Sequence, residues 1–189
     1  MRRVAIIALY RIRVVCLRQC MAVLGKGVEY ALHCLLYLSN QPDTHGLAVG
    51  DIARFQGVSE TYLAKVFTKL KKAGLVRSAL GAKGGYELAR PPEQITFWDV
   101  AIAVEGEVRL CECWNIREKT ALSRGQPKPD WARRGPCTIH QVMMEAEAQI
   151  KASLAAKTLA WLAQDVDHKV SKHREQAARW FREITSSES

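Results

Sequence analysis

VGDIARFQGVSETYLAKVFTKLKKAG (49–74), followed by LVRSALGAKGGYELAR (75–90), decides the fold. A short helix over 51–56 is stopped by Gly57. Ser59 then stands where an N-cap is needed, and the helix it opens carries Leu63, Val66, Phe67 and Leu70 on one face before ending at Gly74. Two short strands over 75–79 and 86–89 are joined by Gly81-Ala82-Lys83-Gly84-Gly85, and Pro91-Pro92 closes the unit. This order predicts a helix-turn-helix with a wing, and nucleic acid as the partner.

A helix lying in a major groove needs polar groups opposite its apolar stripe. Ser59, Glu60, Thr61, Tyr62, Lys65, Lys69 and Lys72 supply them. The early residues are placed for base edges or nearby phosphates. The later lysines suit backbone phosphates, which add affinity without sequence information. Lys83 sits at the wing tip, flanked by Arg77 and Arg90. The competing reading of each lysine is an ordinary solvated face.

The chain has 189 residues, a net charge of +9 and a pI near 9.4, which favours a polyanionic partner. Much of that charge is terminal: residues 1–20 hold five arginines and no acid. Without them the net charge falls from +9 to +4, so residues 49–90 carry the nucleic-acid argument. Arg11 and Arg13 break the apolar run that a signal peptide or membrane span would need. We read 1–20 as an upstream extension or a disordered arm, with the functional start at Met21. Six cysteines without an export signal point to a reducing cytoplasm, where grouped cysteines mean metal or redox chemistry.

The other elements make the chain mainly α. GVEYALHCLLYLSN (27–40) is a helix with Val28, Ala31, Leu32, Leu35 and Leu36 as its buried stripe. Thr96 caps a helix running to about Gly106. Residues 107–136 lose periodicity and read as a long functional loop. Ile139, Val142, Met143, Ala146, Ile150 and Leu154 then mark a long helix whose apolar face a small wing domain cannot cover; a second chain is the expected cover. Leu159, Trp161, Leu162 and Val166 extend the helical region, and Val170, Ala177, Trp180, Phe181 and Ile184 suggest a last amphipathic helix. The expected organisation is a winged-helix domain over 21–106, a sensor loop over 107–136, a dimerisation helix region over 137–166 and a helical tail over 167–189.

The remaining chemistry lies in Cys111, Cys113, Cys137 and His140, a C-x-C followed by C-x-x-H. Thiolates with an imidazole suit zinc or an iron–sulfur cluster. Cys137 falls at a helix N-terminus, where the helix dipole favours a thiolate. Glu29 and His33 are four apart on the first helix, share a face and can present two ligands to one metal; alone, they are an ordinary exposed pair. Cys34 reads as a small buried residue. Trp114 and Trp131 read equally as cluster shielding or loop packing. No nucleophile–base pair or phosphate loop is present, so an enzyme is not expected.

GVEYALHCLLYL, VSETYLAKVFTKLKKAGLVRS and GAKGGYELARPPEQIT, with cysteines before a long C-terminal helix, resemble the IscR/NsrR-type family of bacterial transcriptional regulators. The resemblance spans Met21 to about Val166. It implies a winged helix, a long helix pairing two subunits, and an iron–sulfur cluster in the cysteine loop of many members. Glu29-Tyr30 and His33 are most similar to the RsrR-type subgroup. That similarity implies a [2Fe–2S] cluster held across the dimer by Glu29 and His33 of one subunit and Cys111 and Cys137 of the other, with Cys113 and His140 as competing ligands. Tyr30 stands where the subgroup has Trp. The family's closely spaced cysteine triplet is absent, and Ala64 and Lys65 replace its acidic and Gln residues, so operator preference is not inherited.

The expected protein is thus a cytoplasmic, homodimeric, cluster-controlled repressor binding palindromic double-stranded DNA. The alternatives are a cluster-free thiol/disulfide regulator using Cys111, Cys113 and Cys137, and a zinc-stabilised protein-interaction module.

Overall fold

The computed structural model describes residues 24–39, 46–79, 84–107, 109–110, 121 and 135–187. In chain order it has α1 (Lys26–Leu38), α2 (Val49–Gln56), α3 (Glu60–Lys72), β1 (Val76–Ser78) and β2 (Tyr86–Leu88). A 3-10 turn (Pro92–Gln94) follows, then α4 (Phe97–Glu105), α5 (Thr138–Ala155) and α6 (Leu159–Ser187). The architecture is the expected winged helix with a long C-terminal helical region.

One core gathers the stripes of nearly every element. Leu35 of α1, Ile52 of α2, and Leu63, Phe67 and Leu70 of α3 are fully buried together with Leu75, Ile95 and Leu159. Each such side chain contributes about 1.5–3 kcal/mol by leaving water. Leu32 is only partly buried, whereas Cys34 is fully buried, as a small apolar residue would be.

The helix-turn-helix joint needs Gly57: its φ of +66 lets its N–H turn back onto Ala53 and Arg54 carbonyls and end α2. Ser59 occupies the N-cap position in extended conformation, but its side chain makes no capping bond. Thr96 does cap: Asp99 N–H donates to its Oγ1 at 3.1 Å, and the Thr96 N–H donates to the Asp99 carboxylate at 2.9 Å.

The wing strands pair antiparallel, with Val76 opposite Leu88 and Ser78 opposite Tyr86. They are shorter than the alternation suggests, and Leu47 adds an isolated bridge to Tyr86. It exchanges backbone hydrogen bonds with Tyr86 at 3.0 and 2.9 Å. Gly85 permits this approach, since a Cβ there would lie 3.0 Å from the Leu47 backbone. Phe67 packs on Tyr86 at 4.8 Å, seating the wing on α3.

The chain after α5 is stitched back to the body. Phe97 N–H donates to Lys157 O at 2.9 Å and Leu159 N–H to Ile95 O at 2.8 Å. None of the 18 residues of α5 is buried, and Ile139 (66 % exposed), Val142 (55 %) and Met144 (49 %) face outward. The last periodic segment follows the one before it without a loop: α6 is two helical segments that meet at a non-helical kink at Val170. No helix among the described residues is long and apolar enough to cross a membrane.

Candidate nucleic-acid interface and sensor residues

The face of α3 opposite the core stripe carries Thr61, Lys65, Thr68 and Lys72, all exposed and spaced to form one row. Lys65 takes no hydrogen bond or ion pair among the described residues. Thr68 is not among the polar residues named from the sequence, yet its spacing from Thr61 and Lys65 puts it in the row. Its hydroxyl donates to Ala64 O at 2.8 Å.

Several other candidates are held by the fold. The Lys69 ammonium donates to Val104 O at 2.6 Å, satisfying a carbonyl at the end of α4. The Glu60 carboxylate lies 3.4 Å from where a Cβ on Gly50 would stand, over the first turn of α2, where the helix N-terminus favours negative charge. Tyr62 is 40 % exposed, but its ring meets Tyr30 edge-on at 5.9 Å, and its hydroxyl lies 3.3 Å from a Cβ position on Gly27. Ser59 is exposed just before the helix.

Cations also brace the wing. Lys71 donates to Ser78 Oγ at 2.8 Å, Arg77 pairs with Glu87 across the strands at 2.7 Å, and Arg90 Nε donates to Gly74 O at 3.1 Å. Lys83 lies outside the described residues, as do Cys16, Cys20, Cys111, Cys113, Trp114 and Trp131.

Glu29 and His33 are both exposed on α1. Between them in sequence, Tyr30 reaches the α3 residue Tyr62, so the helix carrying the pair touches the helix carrying the exposed row. Burial pushes the Cys34 thiol up to about 12, which makes it an inert core group. Cys137 stands at the N-cap of α5, partly exposed, its carbonyl accepting Gln141 N–H at 2.9 Å. His140 is partly buried one turn on. Farther along α5, the Glu147 carboxylate accepts the Leu110 N–H at 2.5 Å, tying the chain just before Cys111 to that helix. Among the described residues of one chain, no three His, Cys, Asp or Glu side chains converge as a metal site. The Glu29–His33 pair and the Cys137–His140 pair are thus not joined in such a group within the described residues of one chain.

Residues 24–165 match the Rrf2 family, described as iron-dependent transcriptional regulators. Protein rrf2 of Nitratidesulfovibrio vulgaris is 33 % identical over 139 residues, covering 74 % of this chain and 83 % of that protein. IscR of T. potens superposes with a TM-score of 0.58 at 26 % identity, covering 77 % of this chain and 89 % of that one. CymR (YrzC), the global cysteine regulator of B. subtilis, superposes with a TM-score of 0.51 at 27 % identity, covering 74 % and 95 %. A buried winged-helix core, a row of polar groups on α3 and a match over most of the chain agree. This protein belongs to the Rrf2 family, as a transcriptional regulator and not an enzyme.

Proposed function

We propose that this protein is a cytoplasmic homodimeric repressor whose grip on a palindromic operator is governed by an iron–sulfur cluster, a [2Fe–2S] group, at the subunit interface. The observation that carries this reading is α5. It has 18 residues, none buried, and follows its N-cap Cys137, with Ile139, Val142 and Met143 exposed in its first turns. A second copy of the same helix is the natural cover for that face. Two subunits would also bring together half-sets that are incomplete in one.

The donor chemistry fits the cluster. Glu29 and His33 stand four apart on one exposed face, and Cys137 is accessible at a helix N-terminus. In this reading Glu29 and His33 of one subunit and Cys111 and Cys137 of the other hold it, with Cys113 and His140 as the competing ligands. When bound, the cluster supplies a redox couple whose potential depends on ligand type and solvent exposure. The chain's own residues do the rest. Thr61, Lys65, Thr68 and Lys72 face the groove and its phosphates, and Lys83 is a further phosphate ligand in this reading. Tyr30 on Tyr62 mechanically joins α1 to α3. Two reading helices must meet half-sites about 34–36 Å apart, so a small tilt of α1 in each subunit changes operator affinity.

Protein purified without oxygen tests this directly. Visible charge-transfer absorbance with stoichiometric iron and sulfide is the expected result, and His33→Ala, not His140→Ala, bleaches it. If neither replacement disturbs the cluster, the ligand set is wrong. Colourless protein with full operator binding would replace this reading with the thiol switch. That second reading draws on the position of Cys137 at the start of an 18-residue helix, where the dipole favours a thiolate, and on the likeness to a cysteine regulator. Its signature is operator binding that oxidant and reductant reverse without iron.

A further inference from the structure

The family match ends at residue 165, but the helix does not. Beyond it α6 kinks at Val170 (φ −147, ψ 43) and its second half returns to the winged-helix body. There Ala177 and Phe181 are 3 % and 2 % exposed, in a segment whose other side is charged. Phe181 stacks against Tyr37 of α1 at 5.7 Å and Phe55 of α2 at 5.0 Å, and Trp180 meets Phe55 at 5.0 Å. Tyr37 meets Phe55 at 5.1 Å, so four rings close one cluster across three helices. The kink is braced from both sides. Arg174, beyond it, donates to Ala163 O at 3.0 Å and pairs with Asp167, both before it.

From this geometry we infer that residues 170–187 are an intramolecular strap, and that Trp180 and Phe181 are positioning residues for operator binding. The strap holds α2, the helix on which α3 is seated. Phe55 is partly buried, and its ring meets both Trp180 and Phe181 of the tail. Tyr37 lies one turn beyond His33 on α1, so the strap also grips the far end of the helix that carries Glu29 and His33. These ring contacts set the α1–α2 angle, and with it the pose of α3. The inference rests on α3 being the DNA-contacting helix.

The test uses the full chain and two probes: a duplex selected in vitro from a random pool as operator, and poly(dI-dC) as non-specific DNA. Phe181→Ala is expected to weaken operator binding about tenfold while leaving poly(dI-dC) binding within about twofold, because the lysine face is untouched. Phe55→Ala does the same, and the Phe55→Ala/Phe181→Ala double variant adds little, since both singles break one contact. Phe181→Tyr restores affinity. Faster tryptic cleavage after Lys172 reports release of the strap independently of DNA. Where Phe181→Ala lowers the helical signal, Phe181→Leu keeps the volume, loses the ring and supplies the same comparison. Unchanged operator affinity with a released strap overturns the inference. So does equal loss on both DNAs, which is the mark of a merely structural role. No effect of Lys65→Ala on either duplex refutes the reading of α3 and with it the route from strap to operator, whereas loss with Lys65→Ala and none with Phe181→Ala overturns the strap alone. A parent protein that binds neither duplex overturns both.

Discussion

Lys65 and Lys69 are one helical turn apart in sequence and opposite in circumstance. Lys65 projects from the outer face of α3 with no bond among the described residues, whereas the Lys69 ammonium is held on Val104 O at 2.6 Å. Neutralising a lysine that touches a phosphate reduces the slope of log K against log salt by about 0.9. A homodimer carries two copies, so Lys65→Ala is expected to reduce the slope by about 1.8. Between 50 and 200 mM salt the parent protein then loses about 12-fold more affinity than the variant does. Lys69→Ala behaves differently: it orphans a carbonyl at the end of α4 and costs about 1 kcal/mol of stability, with little change in slope. Fluorescence anisotropy on an operator duplex at four or five salt concentrations gives the slopes, and urea melts give the stabilities. A parental slope for Lys65→Ala, or an equal slope change for Lys69→Ala, refutes the assignment of the outer row.

Three further outcomes follow from the packing. Ile139→Asp or Val142→Asp puts a charge on the uncovered face of α5 and is expected to shift sedimentation from dimer to monomer; unchanged sedimentation removes α5 as the subunit interface. Thr96→Ala breaks the capping box with Asp99 and is expected to cost about 1 kcal/mol in a chemical melt, an effect that Thr96→Ser restores. The Cys34 thiol is raised from 9.0 to about 12 by burial, so its stability contribution is complete below pH 9 and is lost progressively from pH 9 towards 12, as the unfolded chain ionises first. Iodoacetamide at pH 8 should therefore label Cys34 only after denaturation; rapid labelling of the native protein would show that α1 opens.

Much of this architecture is legible locally. Leu63, Val66, Phe67 and Leu70 recur at helical period, Gly57 and Gly74 punctuate, and Thr96 caps the next helix, where the structure adds the reciprocal bond to Asp99. The candidate site was less legible. Polarity alone selects Lys69, Glu60 and Tyr62 as readily as Lys65, because a residue's type does not say whether a neighbouring helix end lies within reach. Lys69 meets the C-terminus of α4, Glu60 the N-terminus of α2, and Tyr62 the first turn of α1. Thr68 was overlooked for the converse reason: it looks unremarkable by type and matters by position.

The sequence by itself determined that this chain builds a winged helix, that it belongs with transcriptional regulators, and which thiols, imidazoles and carboxylates are available for sensing. Those properties are carried by short-range periodicity, turn chemistry and motif spacing. Only the tertiary structure decided which polar side chains of α3 remain available to DNA, that Tyr30 joins α1 to α3, and that the tail returns to clasp Tyr37 and Phe55. These are contacts between residues up to about 140 positions apart. An amphipathic tail can record that it has an apolar face, but what that face covers depends on where a single kink at Val170 sends it.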